Sequence, residues 1–419
     1  MIPYGRQSID EDDIAAVVDV LRGDYLTQGP AVAAFETALT ERFQSHDVVA
    51  CNSGTAALHM AYAAVGIGPG DVVVVPANTF LATANAAVYL GAQVRFCDVD
   101  PMSGLMTPKT LEPALDGDVR LVVPVHFAGM PCDMAAIGEL VRSRSPHAVI
   151  IEDASHAIGA THRCGTPVGN LKYASMATFS FHPVKHIAAG EGGAVSCDGP
   201  KIAKRLREFR CHGMTKDRVD LTKPDEGPWY YEMHRIGMNY RIPDLSCALA
   251  LSQLSKLDAF IGRRRAIADR YRERLSGLRG IELPDACEPD GSAWHLFCLH
   301  IDFENTRLPR ESWMMHLRKR GVGTQVHYFP VSDQPYYSVS RDSTSQKATS
   351  QDSPSHEPTS RPGPTLMGAR EHYRTALSLP MYPGMSDTDH QTVCEAVRQV
   401  HRLAHGGGSA ATGLDQRAA

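Results

Sequence analysis

A lysine set between two histidines, five residues after a serine, is where the residue types first suggest a reaction. The stretch is Phe179-Ser180-Phe181-His182-Pro183-Val184-Lys185-His186-Ile187-Ala188-Ala189-Gly190-Glu191-Gly192-Gly193-Ala194-Val195. It reads as an apolar β-like segment over 177–181, then the lysine, then a Gly-rich turn before another short apolar segment. An amine held between packed segments suits condensation with a cofactor aldehyde, and the Ser180 hydroxyl can reach that cofactor's phosphate. Burial among cations lowers a lysine's pKa and frees the nucleophilic amine. Taken alone, the stretch reads better as a solvated loop lysine beside an ordinary turn. Its company along the chain changes that.

Asn52-Ser53-Gly54-Thr55-Ala56 follows a short strand, Val48 to Cys51, and opens a helix. Backbone N–H groups and the helix dipole there favour an anion, and glycine lets the backbone approach it. The same residues read equally as an N-cap by Ser53 or Thr55 with no ligand. Three further groups follow strands: Asn78-Thr79-Phe80, His126-Phe127 and Asp153-Ala154-Ser155-His156. An aspartate past a buried strand can hold a protonated pyridine nitrogen, and Phe80 can lie against the ring. Singly, Asp153 reads better as a helix N-cap and Phe80 as core; together they favour a site.

The elements that must position these groups alternate. Strands are expected at 71–75, 93–97, 120–125 and 148–152, with helices at about 79–89, 109–115 and 133–143. Near-continuous apolar strands between helices imply a parallel sheet covered on both faces, with the ligand at the strands' carboxyl ends. Before it, residues 8–22 read as an amphipathic helix with Ile9, Ile14, Val17, Val18 and Leu21 on one side. A Gly-Pro loop over 24–30 leads to a helix at 31–43. After it come a basic, solvated helix over 200–212 and a loop-rich segment running to Asp244. One long helix over 243–277, broken near Gly262, connects to a second domain. There a strand at 294–302, a helix at 309–320, a strand at 322–328 and a helix at 387–403 suggest a small α+β unit. Residues 338–365, rich in Ser, Thr, Pro, Gln and Asp, read as a disordered insertion, and the tail after His405 as unstructured. The division is a large domain over 1–255, a small one over 256–405 and a tail over 406–419.

Composition narrows the class. The 419 residues are 43% hydrophobic and 21% charged, average for a globular chain, and long enough for two cores. A net charge of -5 and no long basic run give no sign of nucleic-acid binding. No segment approaches the ~20 apolar residues that span a membrane, and Met1 to Arg6 lacks the regions of a signal peptide. The ten cysteines include no Cys-x-x-Cys pair. That argues against a zinc site and a disulfide framework, so no metal is expected, and the chain reads as a soluble cytosolic protein.

In order and spacing these motifs resemble the fold-type I pyridoxal 5′-phosphate (PLP) transferases, and within them the DegT/DnrJ/EryC1/StrS family of nucleotide-sugar aminotransferases. The carrying stretches are Asn52–Ala56, Ile151-Glu152-Asp153-Ala154-Ser155-His156-Ala157, the Ser180–Gly193 block and Gly237-Met238-Asn239-Tyr240-Arg241. The resemblance implies an α/β fold: a large, mostly parallel-sheet domain and a smaller C-terminal α+β domain. It implies that Lys185 forms the Schiff base and shuttles protons, that Asp153 pairs with the pyridine nitrogen, and that His156 supports it. Gly54, Thr55, Ala56 and Ser180 would bind the phosphate, Phe80 would stack on the ring, and Asn239 would reach the phosphate from the other subunit of a homodimer.

Tyr4-Gly5-Arg6-Gln7-Ser8-Ile9, Leu26-Thr27-Gln28-Gly29, Pro228-Trp229-Tyr230-Tyr231-Glu232, Gly323 to Tyr328 and Gln334-Pro335-Tyr336-Tyr337 look like one subgroup of that family. Its members aminate a UDP-linked 4-keto-6-deoxy-2-acetamido sugar from L-glutamate. The product is UDP-4-amino-4,6-dideoxy-N-acetyl-β-L-altrosamine, on the route to pseudaminic acid. By that resemblance Tyr4, Asp24, Tyr25, Leu26, Thr27, His182, Gln325, Val326, His327 and Tyr328 would line the sugar cleft. No residue identifies itself as an anchor for the glutamate carboxylates; Arg6 and Arg241 are the cations at hand. Ala188-Ala189 stand where relatives often carry threonines, and the 338–365 insertion is longer than the subgroup leads one to expect. Another 4-keto nucleotide sugar therefore remains a competing substrate. A dehydratase of the same fold would carry histidine in place of Lys185, and a non-catalytic relative would have lost the lysine or the aspartate.

Overall fold

Apolar runs such as Val72–Pro76 can bury both faces only inside a covered sheet, and the computed structural model, which describes residues 1–285, 291–338 and 365–406, has that sheet. In chain order the first part contains α1 (Glu11–Arg22), α2 (Pro30–Phe43), β1 (Asp47–Cys51), α3 (Gly54–Ala64), β2 (Val72–Pro76), α4 (Leu81–Tyr89) and β3 (Gln93–Cys97). It continues with α5 (Pro108–Leu111), β4 (Val119–Val122), α6 (Met134–Arg144), β5 (Val149–Asp153), β6 (Met176–Ser180), β7 (Gly193–Cys197) and α7 (Pro200–Arg210). The strands lie in the order β1-β7-β6-β5-β4-β2-β3. Pairings from β6 to β3 are parallel, whereas β7 runs antiparallel to both β6 and β1. The mostly parallel sheet of the sequence reading is present, and its strands fall within a few residues of their expected places.

Two early expectations need correction. α1 begins at Glu11, because Asp10 caps it and closes a capping box with Asp13; Ile9 lies outside. Its expected apolar side is not buried: Ile14 is 47% and Leu21 58% exposed. What is buried is Asp13, held by Ser252 Oγ (2.6 Å), Gln253 Nε2 (2.6 Å) and Lys256 Nζ (2.9 Å), so α1 docks through a polar clasp. α7, expected as a solvated face, also turns two cations inward. Arg207 forks onto Asp47 (2.9 and 2.7 Å), and Arg210 bonds Glu36 (2.6 Å) and the Ala50 carbonyl.

Next come β8 (Met214–Thr215), β9 (Glu232–Met233), α8 (Asp244–Ser255), α9 (Leu257–Leu275), β10 (Ile281–Glu282), β11 (Phe297–Ile301) and α10 (Arg310–Lys319). α11 (Pro335–Ser338), α12 (Met367–Thr375), β12 (Ala376–Leu379) and α13 (Asp387–His405) complete the described chain. β10, β11 and β12 form an antiparallel sheet, over which Tyr271, Phe297, Trp313 and Val397 build a separate core. The long connecting helix breaks at Lys256, which joins α8 to α9, and not at Gly262. An exposed glycine inside a helix costs only about 1 kcal/mol, too little to end one. The strand expected at 322–328 does not form. The backbone here divides its hydrogen bonds between Ile2 (through the Gly321 carbonyl and the Gly323 N–H) and Ser378 (through Gln325), leaving single bridges instead of a ladder. Residues 339–364 of the expected insertion and 407–419 of the tail lie outside the described residues. Among the described residues no helix is long and apolar enough to cross a membrane, and all nine described cysteines are free.

At the sheet's end three backbones nearly touch. A Cβ on Gly193 would lie 2.3 Å from the Ser53 carbonyl oxygen and 2.8 Å from Gly54 N, and a Cβ on Gly54 would lie 2.8 Å from Ser180 Cβ. Gly193→Ala should therefore force β7 away from the start of α3 and cost about 1–3 kcal/mol. Thermal unfolding of the variant checks this: an earlier transition is expected, and an unchanged one would mean that the backbone yields freely.

Candidate active site

A cavity of about 530 Å³ opens where β5 and β6 end and α3 begins. Ser53 caps α3, its hydroxyl accepting the Ala56 N–H (3.1 Å) and its carbonyl the Ala57 N–H (3.0 Å). The second of these is the first regular bond of the helix; the cap itself uses one orphan N–H, that of Ala56, and those of Gly54 and Thr55 remain for a ligand. The Ser180 side chain stands directly over Gly54, close enough that an added Cβ there would meet its Oγ at 3.1 Å. Gly54, Thr55 and Ser180 all line the cavity. Ala56 does not: it is buried beneath, its N–H spent on the cap.

Asp153, the last residue of β5, presents its carboxylate across the cavity. Thr83 Oγ1 donates to one oxygen (2.8 Å) and the Ser155 N–H to the other (3.1 Å), while the Thr79 hydroxyl lies 2.7 Å from that of Thr83. Lys185 lines the same space. Its side chain stays partly accessible through the cavity, yet desolvation pushes the amine down to about 7, with Asp153 pulling weakly the other way. Around it the imidazoles are neutral. Burial first, then the Lys185 charge, holds His156 well below its usual value and His327 down to about 3. His156 Nε2 lies 3.3 Å from the Tyr328 hydroxyl, which burial and then Asp153 push upward, so the phenol keeps its proton.

These groups fit PLP. Two helix-end N–H groups and a hydroxyl suit its phosphate, a positioned carboxylate suits a protonated ring nitrogen, and a neutral amine suits its aldehyde. Phe80 stands at the mouth, 57% exposed, with its ring centroid 6.2 Å from that of Tyr328. Tyr4, His182, Gln325, Val326, His327 and Tyr328 line the cavity as well. The Asp24–Thr27 loop does not reach it in this chain. Leu26 accepts the Asp244 N–H, Thr27 bridges to Pro243, and Tyr25 and Leu26 stand 59% and 51% exposed. Asn239 is likewise outside, exposed and paired with Cys211.

Sequence reasoning missed several lining residues. Thr79, within the Asn78-Thr79-Phe80 group, and Thr83, four residues on, had a legible spacing in the helix expected over 79–89, although the helix itself begins at Leu81. His295 had none: it comes from the segment before β11 and sets its ring, tilted, 4.4 Å from that of His156. A second concavity of about 360 Å³, beside Arg270, Arg274 and His390, holds none of these groups.

Residues 7–398 match the DegT/DnrJ/EryC1/StrS aminotransferase family. The spore coat polysaccharide biosynthesis protein SpsC of Bacillus subtilis is 35% identical over 400 residues, 95% of this chain and 97% of that protein. A putative sugar aminotransferase, Spr1654 from Streptococcus pneumoniae, solved in its PMP form, superposes with a TM-score of 0.83 at 26% identity, over 96% of this chain and 100% of that one. Helicobacter pylori PseC, an aminotransferase involved in the biosynthesis of pseudoaminic acid, superposes with a TM-score of 0.81 at 24% identity, over 96% and 99%, a likeness of fold alone.

The lowered amine has a sign that can be tested. Between about 7 and the ordinary 10.5, the unfolded chain binds a proton that folded Lys185 does not, so this group's contribution to stability rises with pH across that window. Near neutral pH, burying the amine costs stability. Lys185→Met should raise the melting temperature of the cofactor-free protein at pH 7.5 by about 2 °C, and the gain should shrink toward pH 10. A lower melting temperature for the variant at pH 7.5 would contradict this.

Proposed function

Because the chain belongs to the DegT/DnrJ/EryC1/StrS aminotransferase family, whose cofactor is PLP, we propose that it moves the amino group of L-glutamate to C4 of a UDP-linked 4-keto-6-deoxy-2-acetamido sugar. The reading that fits best has the β-L-arabino 4-ketose as acceptor, with UDP-4-amino-4,6-dideoxy-N-acetyl-β-L-altrosamine and 2-oxoglutarate as products. The observation carrying the chemistry is the Lys185 amine, pushed down to about 7, in one cavity with Asp153 and the start of α3. Support for the sugar is the run of subgroup motifs from Tyr4 to Tyr337.

Bound PLP supplies an electron sink through which an amino group is taken from one substrate and given to another. The rest is done by the chain. Lys185 Nζ, deprotonated in part at neutral pH, takes and returns the proton at the reacting carbon. Asp153, its carboxylate fixed by Thr83 and Ser155, keeps a ring nitrogen protonated, and His156 supports it. The Gly54 and Thr55 N–H groups and Ser180 Oγ hold the phosphate, and Phe80 closes over the ring. Tyr4, His182 and the Gln325–Tyr328 segment bound the side on which the sugar enters. In a homodimer, Asn239 and the 24–27 loop act on the partner's site. Residues 1–255 form the cofactor-binding domain and 256–405 the smaller one.

Lys185→Ala should lower turnover at least ~10³-fold, since no other amine is placed to replace it; substantial residual activity would refute the role. Mixed dimers of Asn239→Ala and Lys185→Ala chains should regain part of the lost activity if sites are shared, and none if each chain works alone. Substrate is tested by offering the L-arabino and D-xylo epimers of the 4-keto sugar with PLP and L-glutamate, and following 2-oxoglutarate. Turnover confined to the L-arabino epimer is expected. Preference for the D-xylo form would keep the reaction and move the enzyme to another amino-sugar route.

A further inference from the structure

Behind the wall made by Gln325–Tyr328, three buried side chains converge. Cys298 and His300, two apart on β11, share a face, and His372 comes from α12. One ligand atom of each lies within 4.8 Å of the other two, and the residues are 5%, 5% and 0% exposed. The two imidazoles meet edge-on, with centroids 4.9 Å apart.

Their hydrogen bonds leave donor atoms without work. His300 Nδ1 lies 2.8 Å from Thr375 Oγ1, whose own proton goes to the Glu371 carbonyl (2.9 Å), so Nδ1 carries the hydrogen. Nε2 is then buried with no hydrogen bond of good geometry among the described residues, although the Met102 backbone also acts on this ring. A ring whose outer N–H is anchored while the other nitrogen is free is the state in which histidine ligates a metal. His372 faces two acceptors, the Pro101 carbonyl at 3.0 Å from Nδ1 and the His327 carbonyl at 3.2 Å from Nε2. A neutral ring has one N–H for these two carbonyls, so one of its nitrogens sets a lone pair against oxygen. The buried Cys298 Sγ makes a long contact, 3.8 Å to the Leu299 carbonyl.

We propose that Cys298, His300 and His372 form a binding site for a thiophilic divalent cation, with zinc as the best fit. One sulfur and two imidazole nitrogens are a zinc donor set, with the fourth position open to an oxygen ligand. Ligation turns the His372 ring off one of its carbonyls and releases the Cys298 proton to solvent, leaving thiolate on the metal. Spacing along the chain hides the site, because it joins a Cys-x-His on a strand to a helix far downstream.

The metal has no part in amino transfer; it braces the cavity wall. His372 touches the His327 carbonyl. Ser378, opposite Cys298 in the β11–β12 ladder, exchanges backbone hydrogen bonds with Gln325 and holds His327 Nδ1 at 2.9 Å. The other buried cluster, His126, Glu152 and His162, does not qualify. The Cys132 N–H donates to His126 Nδ1 (3.2 Å), which puts the ring proton on Nε2, the atom facing Glu152 at 3.0 Å.

The test uses holoenzyme without a polyhistidine tag, equilibrated with zinc sulfate, gel-filtered into zinc-free buffer and measured for zinc by elemental mass spectrometry. About one zinc per chain is expected, falling roughly tenfold or more in Cys298→Ser and His300→Gln and unchanged in His162→Gln. Zinc, and not magnesium, should raise the melting temperature of the parent. Retention no greater than in Cys298→Ser, or loss in His162→Gln alone, overturns the proposal. Should both ligand variants misfold by circular dichroism, cobalt-loaded parent holoenzyme decides. Intense tetrahedral d–d bands in the red, clear of the cofactor's absorption, support the site, and their absence refutes it.

Discussion

An amine stays neutral inside a protein where water is kept away and negative charge beside it is scarce, and the carboxyl end of the sheet is organised to meet that condition around Lys185. His156, His295 and His186, tilted ring against ring in a row, are all held well below their usual pKa by burial first of all. Neutral rings of this kind take water's place around the lysine without bringing negative charge that would hold its proton. The buried carboxylate that faces it, Asp153, is tied by Thr83 and Ser155. Its charge is thereby spread over hydrogen bonds before it reaches the amine. The Tyr328 phenol, protonated, adds a further uncharged polar group to the lining.

That arrangement leans on backbone geometry. Asp153 ends a parallel strand, Ser180 ends its parallel neighbour, and β7 then runs back antiparallel between β6 and β1. The reversal needs the turn over 190–193, where Gly190 takes a φ of +76° and Gly193 lies too close to Ser53 and Gly54 to carry a side chain. The loop carrying Lys185 therefore starts beside the phosphate cradle and finishes beside it. Amine and anion site are set by the same few backbone atoms.

Sequence made much of this legible, and the reason differs between elements. The β2–β5 strands show as apolar runs because both faces are buried. Lys185, Gly54 and Asp153 show because each sits in a local motif. What was not legible came from distant segments or from polar packing. α1 has apolar residues at helical spacing, yet Asp13 is the residue that docks. The 322–328 segment has strand-like composition, but Ile2 and Ser378 compete for its backbone. The helix break was assigned to Gly262 on residue type, whereas it falls at Lys256, whose ammonium turns to Asp13 on α1. His295 reaches the cavity from beyond the large sheet and carries no periodic signal.

The pairing of β1 also has a consequence in time. Its neighbour in the sheet is β7, so Asp47 meets Cys197 and Cys51 meets Gly193. A chain emerging from the ribosome has made β1, α3 and the whole β2–β5 ladder before that neighbour exists. Until the hairpin of β6 and β7 is released, Ser53 and Gly54 have no backbone to close against, and the phosphate cradle cannot take shape. Non-local closure of this kind is slow and exposes an unpaired edge while it waits. Capture of the cofactor is thus confined to nascent chains that have passed Cys197, which makes acquisition of the cofactor a late event in the life of each new molecule.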